Sequence, residues 1–338
     1  MNRRLASIIF VFTTLMSCSI PVATTAPPTG TPVPVTLTPT DTALPPLPTP
    51  ELGLAENPLI LALTPSSNTQ AQIDAAKVLA DQFTQRTGYV VVTVVPDSYS
   101  ALVDALEKGN AHIVLLDPFS YELAYQKGLV NASYAVVKEE KTTYGAQFIA
   151  SRKGGFKSYF NELSQTNFAE AAEALAQFAD KKPCWSDEFS PSGYVIPLGY
   201  LNKNQIITRP AAFVQGHPTV VRSIYAGGIC DFGATYVDAR KFPSLEDQYP
   251  DLIEQVIVVW QIPEIIPYEV LSFSTNMSQN MRDLFANTIP AMLQTDDGKT
   301  AFKTVYNIEE LLPVNDAYYE DFREYVRASQ VELSSLVK

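Results

Sequence analysis

The chain has few basic residues for its length. Its 338 residues include 24 lysines and arginines against 36 aspartates and glutamates, which gives a formal net charge of −12. Nucleic-acid binding needs a basic face and electrostatic docking on anionic lipid needs clustered cations, so this balance argues against both. A small anion stays open as a ligand, because backbone N–H groups and a few polar side chains in a cleft outweigh a distant, screened net charge.

Histidine is scarce as well, which limits metal and hydrolytic chemistry. His112 and His217 are the only two, and they form no His-x-x-x-His pair, so the sequence predicts neither a metal site nor a cofactor. A hydrolase built on Ser190, His217 and an aspartate is an alternative, but the chain has no Gly-x-Ser-x-Gly elbow to support it. His112 lies within an apolar stretch, which is typical of a structural residue. We therefore expect a binding protein rather than an enzyme.

Long hydrophobic runs are missing after the first residues. Arg3 and Arg4 precede the apolar run 5–15, which is too short to span a membrane and is typical of an export signal. The run ends in Leu-Met-Ser-Cys, which resembles a bacterial lipobox, so we expect removal of residues 1–17 and a lipid on Cys18. An ordinary secretory signal cut slightly later is the alternative. Both place the mature chain outside the cytoplasm.

Cysteine is also rare, and its count is informative. If Cys18 carries lipid, Cys184 and Cys230 remain, an even number in an oxidising compartment where disulfides persist. The sequence predicts a bridge between these two residues, with two buried free thiols as the alternative.

Residues 18–56 lack the composition of a folded domain. Proline and threonine dominate from Pro21 to Pro50, and Asp41 is the only charged residue in that stretch. Such a segment builds no core and favours extended, polyproline-like conformations. We expect it to be a tether that holds a globular body away from the membrane.

Beyond residue 57, short apolar strands alternate with helical patterns. Strands are predicted at 59–63, 89–95 and 112–116, and helices at 70–87, 98–108 and 119–126. After a less regular stretch the alternation returns between residues 184 and 260. This pattern predicts an α/β fold with open parallel sheets. Two such lobes in one exported chain would enclose a ligand cleft beyond the carboxyl ends of the strands.

Four patches resemble one family of proteins. Residues 97–124 combine a tyrosine at one helix start with a Pro-x-Ser-Tyr turn at the next, and residues 189–197 contain a Ser-x-Ser-Gly turn. A Gly-His pair and Cys-Asp-Phe-Gly follow in residues 214–238, and residues 258–274 are similar to a crossover between lobes. Together they resemble the phosphate, phosphite and phosphonate substrate-binding proteins of ABC importers, a branch of the two-lobed type II periplasmic-binding-protein fold.

The resemblance implies a ligand site to which both lobes contribute. Tyrosine rings and a serine would come from one lobe, and hydroxyls, backbone N–H groups at a helix start and a histidine from the other. The implied ligand-binding residues are Tyr99, Ser120, Tyr121, Ser190, Ser192, Gly193, Tyr194 and His217. Anion contact would raise the pKa of His217 and favour its protonated form. Pro191 departs from the family, which usually carries a residue with an N–H there.

Two acids occupy positions at which aminoalkylphosphonate binders hold the ammonium group of the ligand. These are Asp238, after the Asp-Phe strand, and Glu269, two residues after Pro267. The alternative is that both are solvated or serve the hinge, since a phosphate or phosphite binder would not place acids beside the anion.

The resemblance also implies an organisation and a function. Residues 57–147 and 267–338 would form lobe 1 and residues 148–266 lobe 2, with hinge crossovers near 148–152 and 260–267. The chain would act as a monomer that captures a phosphonate or related phosphorus oxyanion for an ABC permease and its ATPase. A sensory module for a membrane receptor, or a binding protein for another small solute such as a sulfonate, is the alternative.

Overall fold

The computed structural model describes residues 50–67 and 69–338. These residues belong to one compact unit. The predicted signal peptide, the lipidation site at Cys18 and nearly all of the predicted tether lie outside the described residues. No helix among the described residues is both long enough and apolar enough to cross a membrane.

The first sheet has six strands in the order β13–β4–β12–β3–β1–β2. Its strands are β1 (Leu59–Ala62), β2 (Val91–Val94), β3 (Ile113–Leu116), β4 (Val130–Val137), β12 (Val270–Ser274) and β13 (Glu310–Pro313). Strands β1, β2 and β3 pair in parallel, as the alternating pattern predicted. The other three strands run antiparallel to their neighbours, so the sheet is mixed rather than wholly parallel.

Helices cover both faces of this sheet. They are α1 (Gln70–Thr87), α2 (Tyr99–Glu107), α3 (Pro118–Gln126), α9 (Gln279–Met292) and α10 (Asp296–Tyr306). Strand β3 shows how the apolar residues are shared between the two faces. Ile113 and Leu115 pack with α1, α9 and α10, whereas Val114 and Leu116 pack with α2 and α3. A strand covered on both faces has no solvated side, which explains why its sequence is continuously apolar.

The second sheet has five strands in the order β11–β5–β10–β8–β9. Its strands are β5 (Thr143–Ser151), β8 (Pro183–Trp185), β9 (Ala212–Phe213), β10 (Phe232–Tyr236) and β11 (Val256–Pro267), and a separate hairpin is formed by β6 (Phe160–Asn161) and β7 (Thr166–Asn167). The helices of this half are α4 (Ala171–Leu175), α5 (Ile196–Lys203), α6 (His217–Ala226), α7 (Pro243–Gln248) and α8 (Leu252–Gln255). We call the two halves lobe 1 and lobe 2.

The predicted disulfide is present in lobe 2. Strands β8 and β10 are parallel neighbours, and Cys184 is bonded to Cys230 with their Cα atoms 5.6 Å apart. The bridge joins the strand before the Ser-Pro-Ser-Gly turn to the chain that enters β10.

The chain crosses between the lobes at 138–142 and again between β11 and β12. The first crossing comes earlier than the predicted position at 148–152, because residues 143–151 form strand β5 of the second sheet and pair with β10 and β11. Between the hairpin and β8, helix α4 is followed by a single tight turn at 176–178.

Helix α11 (Glu320–Ser329) packs against both lobes. The buried guanidinium of Arg323 donates from Nε to both carboxylate oxygens of Glu122 on α3, at 2.9 and 2.8 Å. The ring of Tyr325 stacks on Tyr200 of α5, with centroids 3.8 Å apart. Gly199 permits this contact, since a Cβ there would lie 2.2 Å from the carbonyl oxygen of Tyr325. The C-terminal region therefore does not belong to lobe 1 alone.

Candidate ligand site between the two sheets

A cavity of about 450 Å³ lies between the lobes. Lobe 1 contributes residues near the starts of α2 and α3, lobe 2 contributes β5 and the serine turn, and the last residues of the chain complete the wall. The lining residues are Tyr99, Asp117, Pro118, Phe119, Tyr144, Phe189, Pro191, Leu336, Val337 and Lys338. The position agrees with the predicted cleft, and the polar lining residues are Tyr99, Tyr144, Asp117 and Lys338.

The Ser-Pro-Ser-Gly turn forms the start of a helical segment in lobe 2. Ser190 caps a helical turn, Pro191–Val195, that continues into α5, and its Oγ accepts the N–H of Gly193 at 2.9 Å. Glycine is required at position 193, because a Cβ would lie 1.9 Å from Oγ of Ser186. The N–H of Gly193, which was predicted to donate to the ligand, therefore donates to the cap. The Ser190 hydroxyl still has its own proton, which it can donate to another acceptor.

Ser186 is a polar residue of this region that the sequence analysis missed. It is fully buried, and its Oγ has no hydrogen-bond partner among the described residues. Its backbone N–H donates to the carbonyl of Gly193, and its carbonyl accepts from the N–H of Gly216. Ser186 therefore joins the serine turn to the Gly-His pair and brings an uncommitted hydroxyl beside them.

Ser192 and Tyr144 connect the serine turn to the cavity. Ser192 is almost fully buried, and Tyr144 reaches it from strand β5. Burial raises the pKa of Tyr144, and a hydrogen bond with Ser192 acts in the opposite direction. The Tyr144 ring stacks on Tyr268 with centroids 5.1 Å apart. Its phenol therefore stays neutral and fixed, as a donor that the sequence analysis did not identify.

His217 is held as a neutral donor beside the serine turn. Its Nδ1 accepts the backbone N–H of Tyr236 at 3.3 Å, and its Nε2 lies 3.4 Å from Oγ of Ser190. Burial lowers the pKa of His217 to about 4, against the opposing effect of Asp187. Without ligand the imidazole is neutral at pH 7 and carries its proton on Nε2. The predicted charging of His217 by a bound anion stays a prediction.

Tyr99 stands at the lobe 1 side of the cavity, in the first turn of α2. Ser98 caps this helix, with its Oγ accepting the N–H of Ala101 at 3.0 Å. Burial raises the pKa of the Tyr99 phenol, and the carboxylates of Asp117 and Glu269 raise it further. The phenol is thus a neutral hydrogen-bond donor on a residue that lines the cavity, and its contact with an anion stays a prediction.

Ser120 makes its hydrogen bonds with Asp117 rather than with the cavity. Asp117 caps α3, and its carboxylate accepts the N–H groups of Phe119 and Ser120, at 3.0 and 3.2 Å, and also the Ser120 hydroxyl. Burial raises the pKa of Asp117, and these hydrogen bonds act against the shift. The predicted donors at this helix start are therefore occupied by a carboxylate that lines the cavity.

The two remaining predicted tyrosines do not line the interlobe cavity. Tyr121 is fully buried and donates its hydroxyl to Oδ1 of Asp316 at 2.9 Å. Its ring packs on Tyr319 with centroids 4.1 Å apart. Tyr194 lies edge-on against Phe213, with centroids 4.9 Å apart, in a neighbouring depression. The structure thus does not bring Tyr121 to the ligand side of the cleft.

The two predicted ammonium partners are already paired with cations of the chain. Asp238 binds the buried guanidinium of Arg240, with Oδ2 2.7 Å from Nη2, and accepts from Gln147 Nε2 at 2.7 Å. Burial raises the pKa of Asp238, but Arg240 and Gln147 outweigh it and the net shift is downward. Glu269 forms a 2.8 Å ion pair with Lys138. Neither acid is a free counter-charge.

Two α/β lobes with a cavity between them form the architecture of the two-lobed periplasmic-binding-protein fold. The family described as "ABC transporter, phosphonate, periplasmic substrate-binding protein" matches residues 61–319. The chain belongs to this family. Within the described residues, no group of three or more His, Cys, Asp or Glu side chains is placed to hold a metal ion.

A curated relative and two solved structures are also similar to this chain. The chain is 27% identical over 189 residues to the Phosphate-import protein PhnD of Mycolicibacterium smegmatis, covering 53% of this chain and 54% of that protein. It thus matches about half the length of that relative. XAC2383 from Xanthomonas citri bound to ATP superimposes with a TM-score of 0.60 at 14% identity, over 83% of this chain and 99% of that one. The chloride-bound form gives a TM-score of 0.59 at the same identity, over 80% and 97% of the two chains. These structural likenesses concern the fold.

Proposed function

We propose that this chain is an extracytoplasmic binding lipoprotein that captures a phosphorus oxyanion and delivers it to an ABC permease and its ATPase. The supporting observation is that Oγ of Ser190 and Nε2 of His217 lie 3.4 Å apart in lobe 2, and that Pro191, the neighbour of Ser190, lines the same cavity as Tyr99 of lobe 1. The chain binds its ligand without chemical turnover, and it does so as a monomer.

The donors in this cleft suit a tetrahedral oxyanion. The hydroxyls of Ser190 and Tyr144 and the Nε2–H of His217 are neutral donors in a buried setting, and hydrogen bonds to an ionised acceptor are about twice as strong as neutral ones. Several such bonds replace the hydration shell of the anion. They require no cationic side chain, which agrees with the acidic composition of the chain.

The pairing of Asp238 and Glu269 with cations of the chain favours a ligand without an ammonium group. Using Asp238 for a ligand ammonium would require breaking its contact with the buried Arg240, and Glu269 would have to give up Lys138. We therefore propose an unaminated phosphonate, phosphite or phosphate rather than an aminoalkylphosphonate. The name of the mycobacterial relative, which refers to phosphate import, supports this class of ligand.

Ligand contact from both lobes would drive closure. The chain crossings at 138–142 and between β11 and β12 are the hinge in this proposal. A ligand that bonds Tyr99 and the serine turn together binds the closed form better than the open form, and so shifts the population toward it. The permease then recognises the closed form.

Calorimetric titration tests the proposal. The purified full chain in detergent is titrated with phosphate, phosphite, methylphosphonate, 2-aminoethylphosphonate and sulfate. We expect binding of at least one unaminated phosphorus anion, and loss of that binding in the double variant Ser192→Ala/His217→Ala. Ser223→Ala is the control, since Ser223 is also a buried serine of lobe 2 but bonds its own helix, to the Thr219 carbonyl.

Two results would contradict this proposal. If none of the phosphorus anions gives binding heat, the proposed ligand class is wrong. If the double variant binds with unchanged affinity, the proposed site is wrong. The lipid anchor is tested separately: the mature N-terminus is expected to be an acylated Cys18 by mass spectrometry, and Cys18→Ser is expected to lose the acyl mass.

A further inference from the structure

The segment 332–338 forms part of the interlobe cavity. It follows helix α11 and contains a tight helical turn, Leu333–Leu336. The family match ends at residue 319, so this segment is a feature of the chain beyond the part that the family model describes. Leu336 and Val337 are only 6% and 5% exposed and belong to the same core cluster as Phe119.

Lys338 contacts both sides of the cleft. Its carbonyl oxygen accepts the backbone N–H of Tyr99 in lobe 1 at 2.8 Å. Its ammonium lies 3.9 Å from the ring centroid of Phe189 in lobe 2, a favourable cation–π distance. The segment is therefore tied across the cavity rather than lying loosely on the surface.

Helix α11 positions this segment before any ligand arrives. Arg323 binds Glu122 on α3 with both partners buried, and Leu333 packs into the same cluster as Leu336. Asn202 of α5 donates to the carbonyls of Ala328 and Ser329, at 3.0 and 3.1 Å, where the helix ends. The wall formed by the segment is thus preorganised by contacts with both lobes.

The cavity has an apolar side and a polar side. Leu336 and Val337 line it together with the apolar residues Phe119, Phe189 and Pro191. The polar lining residues are Tyr99, Asp117, Tyr144 and Lys338. A phosphonate has this same division, because it carries an organic group on phosphorus opposite its anionic oxygens. Phosphate and phosphite have no organic group and gain nothing from an apolar wall.

We propose that segment 332–338 is a specificity element: its Leu336 and Val337 side chains form the wall against which the organic group of an alkylphosphonate packs. The wall makes the site prefer alkylphosphonates to phosphate and limits the length of the alkyl group. This inference rests on the proposed function, since it assigns a preference within the same site.

The variant Val337→Thr tests the wall with little change in volume. It replaces one methyl by a hydroxyl, so a ligand methyl that packs there loses an apolar contact worth about fourfold in affinity, the amount for one buried methylene. We expect the dissociation constants for methylphosphonate and ethylphosphonate to rise by about that factor and the constant for phosphate to stay the same. Val326→Thr is the matched control, because Val326 has the same 5% exposure in the same core cluster but does not line the cavity.

A second variant measures ligand size. Leu336→Ala enlarges the apolar part of the cavity. The affinity for butylphosphonate, divided by the affinity for methylphosphonate, is therefore expected to be at least about threefold higher than in the unaltered chain. If Val337→Thr weakens the binding of phosphate and methylphosphonate by the same factor, the specificity role of the segment is wrong but the proposed function stands. The same conclusion follows if Val326→Thr weakens methylphosphonate binding as much as Val337→Thr does. If the unaltered chain binds no phosphorus anion, the proposed function itself is wrong. The unaltered chain alone gives this result, so it is distinguishable from a failure of the specificity role.

Discussion

The backbone N–H of Tyr236 donates to Nδ1 of His217 across 3.3 Å. A ring nitrogen that accepts a hydrogen bond carries no proton, so the neutral imidazole keeps its proton on Nε2. That nitrogen lies 3.4 Å from Oγ of Ser190. Strand β10 thereby sets the tautomer of a side chain on helix α6, and the donor points toward the serine turn.

The depressed pKa of His217 predicts a pH-dependent stability of the ligand-free chain. The unfolded histidine has its ordinary pKa of about 6.5, whereas burial lowers the folded value to about 4. Below pH 6.5 the unfolded state therefore binds a proton that the folded state does not. The stabilising contribution is complete above the unfolded pKa and is lost as the pH falls toward 4.

The measurement is the free energy of urea unfolding of the unaltered chain and of His217→Gln between pH 7.5 and pH 4.5. The difference between the two is expected to change by up to about 1.4 kcal/mol per pH unit in the acidic half of this range, because one proton is involved. Carboxylates titrate in both proteins and cancel in the difference. Parallel pH profiles would show that folding does not shift the pKa of this residue.

Asp117 is expected to select anions that carry a proton. Its carboxylate lines the cavity and caps α3, and burial raises its pKa. A phosphonate or phosphate with a P–OH group can donate to this carboxylate, whereas sulfate at neutral pH has no proton and is repelled. Asp117→Asn keeps the helix cap, because asparagine caps as well as aspartate, but removes the charge.

We therefore expect Asp117→Asn to improve the affinity for sulfate relative to methylphosphonate by about tenfold, the equivalent of about 1.4 kcal/mol. Calorimetry with both anions measures the ratio. Asp74→Asn makes the same change of charge on an exposed helix position and should leave the ratio unaltered. A constant ratio in Asp117→Asn would mean that the carboxylate does not face the anion.

The sequence predicted the parts of the fold that depend on local pattern. Strand β3 is continuously apolar because both of its faces are buried, and Gly88 ends α1 in a left-handed conformation with φ 79°. Strand β4 was not predicted, because Asn131 and Ser133 interrupt the apolar residues of its sequence. Strand β11 begins only at Val256, because residues 252–255 form a helical turn, α8, in which Leu252 is buried and Ile253 is 40% exposed.

Side-chain direction explains the differences at the site. Sequence placed Tyr121 at a helix start, yet its hydroxyl points to Asp316, which is 195 residues away along the chain. Arg240 stands only two residues after Asp238, but nothing in the sequence indicates that its side chain is buried. Ser190 and His217 came together as expected, because both stand at helix starts on neighbouring parts of one sheet.

The disulfide predicts a large loss of stability on its removal. Cys184 and Cys230 are 46 residues apart, and cross-linking restricts an unfolded loop of that length by an entropy worth about 4 kcal/mol in the chain-entropy model. We expect Cys184→Ala/Cys230→Ala to lower the free energy of urea unfolding by about 2–4 kcal/mol. The reduced, unaltered chain serves as the control and should lose a similar amount. A loss below about 1 kcal/mol would show that the folded lobe gains little from the bridge.

Removing Arg240 is expected to destabilise the fold and to change the ligand preference together. Its side chain is 1% exposed and binds Asp238, whose side chain is 11% exposed. In Arg240→Met the carboxylate of Asp238 is left buried with Gln147 as its main partner, and an uncompensated buried charge costs about 3–5 kcal/mol. Asp238→Asn/Arg240→Met removes both charges and should recover much of that loss in urea unfolding.

The surface pair of Arg209 and Asp231 provides the contrast. Their side chains are 51% and 35% exposed, so Arg209→Met should lower the free energy of unfolding by less than about 1 kcal/mol.

Arg240→Met also frees the Asp238 carboxylate, and calorimetry should then show tighter binding of 2-aminoethylphosphonate relative to methylphosphonate. If the unaltered chain already prefers the aminated ligand and Arg240→Met does not change that preference, then Asp238 binds the ammonium group despite its pairing with arginine. In that case the ion pair is a scaffold for the ligand site, and the preference for an unaminated ligand is wrong.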